Sequence, residues 1–252
     1  MEADKARVFA VVSWGCAATN WLARALNSHP DIFCVHAGNF YWHHYGRAPY
    51  LDGPEYLATI REMGSSYASA GDVHGVDLRA ISAIRETFGD QFACAIVVRE
   101  PIARLYSQVA LFKSNLHTRA WNVDYVQRFI DQGIALPVDS YENRLTLHGI
   151  SMLNSIVTEQ ATARVWRCED LTTQPEALAE FVSEITGGSV SVDPGWAQAT
   201  VALPAVFQHA KSDQPLADRR PQDWQVDAIR KIVLPKAWNL YSQLGYVVPD
   251  FL

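Results

Sequence analysis

The sequence predicts an α/β protein of three layers, a central parallel sheet flanked by helices. Three observations carry this. Short apolar runs recur along the chain and alternate with segments of helical character, as parallel strands joined by crossover helices do. Most of these runs lack the in–out alternation of a half-solvated sheet, so they are expected to be buried on both faces. The first run, Val8-Phe9-Ala10-Val11-Val12, leads through a tight loop of small residues directly into a helix.

Taken in order, Val8 to Val12 is the first strand. The helix after the loop runs to about Asn27 and stops before His29-Pro30, because a residue preceding proline is steered away from helical backbone. Ile32 to Val35 is a second short strand. Residues 37 to 70 are rich in Tyr, Trp, His, Gly and Pro and lack a clean period, with one helix expected over Glu55 to Met63. Val73 to Asp77 is the third strand expected, followed by a helix from Arg79 to Phe88 and an all-apolar strand from Phe92 to Val98. Pro101 suits the first turn of a helix reaching about Lys113. Further helices are expected over Asn122 to Gly133 and Tyr141 to Glu159, with a strand over Ala163 to Arg167. Thr173 and Glu176 read as a capping box opening a helix to Ile185. Residues 187 to 222 are loop-like, and Trp224 to Leu244 reads as a long helix bent at Pro235.

Bulk properties narrow the function. The chain has 252 residues, 49% of them hydrophobic, enough for one core, so residues 1–252 are expected to form a single domain. A net charge of −6 and a pI near 5.7 argue against a broad nucleic-acid surface. Any phosphate must therefore be held by a local cluster of basic groups. Cys16, Cys34, Cys94 and Cys168 are scattered, with no C-x-x-C pair, and read as reduced thiols of a cytoplasmic protein. No H-E-x-x-H or comparable ligand pattern is present, so no metal is expected. Lys5 and Arg7 precede an apolar run as in a signal peptide, but the run is short and continues unbroken into an amphipathic helix, so a leader is not expected. No apolar window is long enough to span a membrane.

Chemistry concentrates in two places. The first is the loop Trp14-Gly15-Cys16-Ala17-Ala18-Thr19-Asn20 with Trp21 just inside the helix. A strand–loop–helix turn aims loop N–H groups and the positive end of a helix at one point, where an anion can sit. Thr19 adds a hydroxyl. It is not a Walker A loop, because no Gly-Lys-Ser/Thr follows. The second is Arg99-Glu100-Pro101-Ile102-Ala103-Arg104-Leu105-Tyr106-Ser107, where Arg99 closes a strand and Ser107 sits two turns into the next helix. Ligands of open α/β sheets bind outside the carboxyl ends of the strands, and a guanidinium with a hydroxyl can grip one phosphate there.

Together these segments resemble the sulfotransferases that use 3′-phosphoadenosine 5′-phosphosulfate (PAPS), bacterial members in particular. Ala17-Ala18-Thr19-Asn20 is similar to the family's Ser-Gly-Thr-Thr-like run, and Leu26-Asn27-Ser28-His29-Pro30-Asp31-Ile32 to its Leu-Asn-x-His-Pro-x-Ile stretch. Arg99 and Ser107 keep the family's spacing of eight residues. Arg167-Cys168-Glu169-Asp170-Leu171 and Leu240-Tyr241-Ser242-Gln243-Leu244-Gly245-Tyr246 resemble later family segments, so the likeness covers nearly the whole chain in order.

The resemblance implies a P-loop NTPase-like sulfotransferase fold and in-line transfer of a sulfuryl group from PAPS to a hydroxyl or amine, releasing adenosine 3′,5′-bisphosphate. It implies that the loop from Trp14 to Asn20 cradles the 5′-phosphosulfate, that Trp21 stacks on adenine or anchors the core, and that Arg99 and Ser107 hold the 3′-phosphate. The segment carrying Lys211, Arg219 and Arg220 falls where the family places a basic loop over the cofactor. The general base falls first to His36, just after the second strand, since imidazole titrates near neutrality. His74 and Asp77 follow, in a segment that carries the base in other members. One departure stands out: Cys16 occupies the position where the family usually has Lys or Arg. A catalytically impaired binding relative, or a P-loop phosphoryl-transfer enzyme, are the alternatives. The acceptor, whether small molecule, glycan or lipid, and the oligomeric state are not specified by the sequence.

Overall fold

The apolar runs pair into a parallel sheet. The computed structural model describes residues 6–14, 16–36, 53–114, 126–203 and 220–252. Its strands are β1 (Arg7–Val12), β2 (Ile32–His36), β3 (Ser69–Val73), β4 (Phe92–Val98) and β5 (Arg164–Arg167). All pairs are parallel, in the order β2-β3-β1-β4-β5. The helices are α1 (Thr19–Asn27), α2 (Gly53–Met63), α3 (Ile81–Phe88), α4 (Pro101–Ser114), α5 (Gln127–Asp131), α6 (Tyr141–Met152), α7 (Ile156–Glu159), α8 (Cys168–Thr173), α9 (Pro175–Ile185), α10 (Pro194–Val201), α11 (Asp223–Ile232) and α12 (Trp238–Gln243). Four free cysteines are present, as the scattered spacing suggests.

The chain gathers into two compact units, one of residues 1–98 with 159–206, the other of 99–158 with 207–252. The first holds the sheet. Phe9 and Val11 of β1 face a core shared with Trp21 and Leu22 of α1 and Leu178 and Phe181 of α9. On the sheet's other side α2 packs on β3 and β1, and α3 packs on β4. The central strand is buried on both faces, with Val8 to Val11 at 0% exposure. Burying side chains of this size contributes about 1.5–3 kcal/mol each for the larger ones, which is why the first strand was legible from its composition.

The second unit is helical. Gly149 of α6 lies against Leu105 of α4, and a Cβ there would meet the leucine at 2.8 Å, so the glycine permits the close approach of the two helices. Asn154 Nδ2 donates to the Ile232 carbonyl at 2.9 Å and Tyr241 Oη donates to the Leu153 carbonyl at 2.9 Å, fastening α11 and α12 to the turn after α6.

Several expected boundaries move. The third strand is Ser69–Val73, not Val73 to Asp77. Its small and polar residues hid it, yet all five are buried. They are small because β3 is wedged between β1 and β2: a Cβ on Gly71 would lie 2.3 Å from the Phe9 carbonyl oxygen. Thr173 is not an N-cap. It ends α8, its hydroxyl bonded back to the Glu169 carbonyl, and Gln174 precedes Pro175 at the start of α9. The capping box instead opens α11, between Gln222 and Gln225. Part of the loop-like stretch 187–222 is helical, α10, started by Asp193 capping the Trp196 N–H at 3.0 Å. The long C-terminal helix divides into α11 and α12 on either side of Pro235. Tyr141 to Glu159 is likewise broken, by a turn of 3₁₀ helix at 153–155. Residues 122–125 of the helix expected over Asn122 to Gly133, and the aromatic stretch 37–52, lie outside the described residues.

Candidate functional site

The loop after β1 is shaped by two residues in left-handed backbone, Cys16 at φ 58° and Ala18 at φ 55°. Neither is glycine, so each costs about 1–2 kcal/mol. Left-handed residues of this kind are a component of backbone anion nests. Ala18 is also the N-cap of α1; it offers no side-chain cap, and the first turn carries no acidic residue. The positive end of α1 is therefore not neutralised by its own sequence. Trp14 is 39% exposed beside the loop, and Ala17 and Thr19 are buried. Gly15 lies outside the described residues. Trp21, by contrast, is a core residue, 6% exposed, with Nε1 donating to the Leu203 carbonyl at 3.4 Å.

The carboxyl ends of β2, β3 and β1 lie side by side, and each delivers a polar residue to the same edge. His36 ends β2, His74 follows β3 and Ser13 follows β1. His36 Nε2 shares a 3.1 Å hydrogen bond with the Thr19 hydroxyl, and its Nδ1 is buried without a hydrogen-bond partner. The two imidazoles lie 5.7 Å apart, tilted by 35°. His74 Nδ1 donates to the Ser13 carbonyl. A carbonyl can only accept, so Nδ1 of His74 carries a proton, and in the neutral ring the lone pair is then on Nε2. The Ser13 hydroxyl is buried without a hydrogen-bond partner.

Burial, and secondarily the neighbouring His74, push the His36 pKa down to about 3. This imidazole is neutral at physiological pH. Its folded pKa lies below the ordinary histidine value, so between about pH 6.5 and 3 the unfolded chain binds the extra proton, and the stability His36 confers is lost as pH falls through that window. The unfolding free energy of His36→Gln, measured by urea titration across this range, is expected to gain on the wild type by up to about 1.4 kcal/mol per pH unit of acidification. A difference that does not change with pH would show that His36 is not held neutral by its surroundings.

Asp77 has a different occupation. It caps the turn Leu78–Ala80, accepting from the Arg79 N–H at 2.8 Å and pairing with the Arg79 guanidinium. These bonds hold its carboxyl below the usual range. One residue near this edge, Asp72, is not singled out by the sequence. Asp72 of β3 is fully buried, its Oδ1 accepting from Tyr56 Oη at 2.7 Å and its Oδ2 from the Gly75 N–H. Burial raises its pKa to about 7, against the two hydrogen bonds that lower it. The signal available was an acid two residues before His74 in a segment otherwise small and apolar.

In the second unit, Arg99 follows the last residue of β4 directly and Ser107 lies in α4; both are half-buried. Glu100 between them caps α4, its carboxylate accepting from the Ile102 N–H at 3.1 Å and the Ala103 N–H at 2.5 Å. Arg220 is exposed, and Lys211 and Arg219 lie outside the described residues. No cluster of three metal-ligating side chains occurs among the described residues. Nor is any described helix long and apolar enough to cross a membrane.

Fold and site together define a parallel α/β protein whose sheet edge carries an uncapped helix start, a left-handed loop and a pair of histidines. No family model and no curated protein matches the chain. Among solved structures it is similar to a sulfotransferase from Alicyclobacillus acidocaldarius, at 12% identity over 98% of each chain with a TM-score of 0.47. It is also similar to mouse sulfotransferase SULT7A1 complexed with PAP, at 15% identity over 97% of this chain and 84% of that one, with a TM-score of 0.44.

Proposed function

We propose that this protein transfers a sulfuryl group from PAPS to a hydroxyl or amine acceptor. The observation that carries the reading is the 3.1 Å hydrogen bond between Thr19 and His36. The family resemblance gives Thr19 to the 5′-phosphosulfate and makes His36 a candidate base; the fold brings the two into contact and sets His74 beside them. The loop fits an anion on grounds independent of the resemblance, through its left-handed residues and the absence of any acidic group in the first turn of α1.

The donor supplies the sulfuryl group and leaves as adenosine 3′,5′-bisphosphate. Loop N–H groups and the Thr19 hydroxyl stabilise the charge that develops on the departing oxygen. His36, neutral and tied to Thr19, orients that hydroxyl. His74 is the better base, because the bond from Nδ1 to the Ser13 carbonyl fixes the tautomer whose Nε2 accepts a proton. The acceptor oxygen or nitrogen loses its proton to that nitrogen as it attacks sulfur in line. Arg99 and Ser107 are assigned to the 3′-phosphate, as the sequence resemblance implies. One functional module of 252 residues, working in the cytoplasm without a metal, completes the reading.

The test is binding. Adenosine 3′,5′-bisphosphate is expected to raise the unfolding temperature well beyond AMP at equal concentration; a ligand at a hundred times its Kd stabilises by about 2.7 kcal/mol. Equal shifts for the two nucleotides would sink the assignment. Cys16, where the family has a cation, favours a second reading, a relative that binds the bisphosphate and transfers nothing. Radiolabelled PAPS offered with a panel of phenols, glycans and lipids separates the two.

A further inference from the structure

We infer that Asp72 is a positioning residue for His74, holding the backbone turn that fixes the tautomer of the base. The inference rests on the sulfuryl-transfer reading for its purpose, but the turn itself is visible in the structure. Asp72 lies in the middle of the sheet at 0% exposure, in register with Ala10 of β1 and Val35 of β2. A buried carboxyl is costly unless its oxygens are satisfied. Here one oxygen takes the Tyr56 hydroxyl of α2 and the other takes the Gly75 N–H.

The second bond closes a loop from residue 72 to residue 75, with His74 inside it. The β1–β3 ladder continues one step past Val73, through the His74 N–H to the Val11 carbonyl at 2.8 Å. There the chain turns: His74 adopts φ 76°, a left-handed conformation that a β-carbon disfavours. Such a residue persists only where its surroundings over-determine it. Two restraints bracket it, the ladder bond on its own N–H and the Asp72 carboxyl on the next one. With both in place the imidazole reaches the Ser13 carbonyl through Nδ1. Tyr56 in turn sets the carboxyl, so α2 reaches the base through two hydrogen bonds.

The experiment reads the His74 tautomer by ¹⁵N NMR of the full chain labelled at histidine, which needs neither donor nor acceptor. The wild type is expected to show His74 in the Nδ1–H form. Asp72→Ala is expected to give a mixture of tautomers, whereas Asp72→Asn, whose amide oxygen can still accept from Gly75, is expected to restore the single form. Adenosine 3′,5′-bisphosphate is expected to bind all three within threefold. If Asp72→Ala does not fold, Tyr56→Phe/Asp72→Val removes both buried partners at once and takes its place, with the mixture again expected. A pure Nδ1–H form in the variant lacking the acceptor overturns the inference, as does a mixture in the wild type. Failure of the wild type to bind the bisphosphate would overturn the sulfuryl-transfer reading instead and leave the tautomer result to stand by itself.

Discussion

His74→Gln is expected to lower kcat for sulfuryl transfer by 10²- to 10⁴-fold, the range typical of removing a general base. The measurement uses the best acceptor from the panel, at saturating PAPS. The KM for PAPS is expected to stay within a few fold, because the loop and α1, not His74, meet the donor's 5′ end in this reading. His36→Gln gives the contrast. Its Nε2 is engaged by Thr19 and its Nδ1 is buried, so no nitrogen of His36 is presented for an acceptor proton. Losing it loosens Thr19, and the cost is expected mainly in PAPS affinity. If His36→Gln abolishes kcat while His74→Gln leaves it intact, the two roles are reversed.

Arg99→Ala is expected to weaken adenosine 3′,5′-bisphosphate by 1.5–3 kcal/mol, roughly 10- to 150-fold in Kd, the worth of a charge-assisted hydrogen bond. AMP, which lacks the 3′-phosphate, is expected to bind wild type and variant alike, and calorimetry with both ligands supplies the comparison. The prediction is sharpened by Glu100. Its carboxylate occupies the Ile102 and Ala103 N–H groups at the start of α4, so that helix end is capped internally, and a phosphate there must depend on side chains, the Arg99 guanidinium and the Ser107 hydroxyl. A uniform loss for both nucleotides would assign Arg99 to the fold instead.

Much of this architecture could be read from residues alone where burial wrote itself into composition. β1 beyond Arg7 and the whole of β4 are apolar, and the Pro101 helix start is where proline permits it. β3 was displaced because its constraint is space, not hydrophobicity: beside Phe9 only glycine fits at position 71, and the resulting Ser-Ala-Gly-Asp-Val run resembles a loop. The same displacement hid Asp72, which looks like a surface acid until Tyr56 is placed over it. His36 and Thr19 could each be named as candidates, but not their contact, since it depends on how β2 returns beside β3. The tautomer of His74 depends on a backbone carbonyl, and no side-chain pattern advertises that.

The division of the chain also orders its birth on the ribosome. The sheet-bearing unit takes its last contribution from residues up to Val206, whereas the helical unit, begun at Arg99, ends at Leu252. In the order of synthesis, α4 and α6 therefore precede β5, α9 and α10. Only when α11 and α12 arrive do Asn154 and the Leu153 carbonyl find their partners.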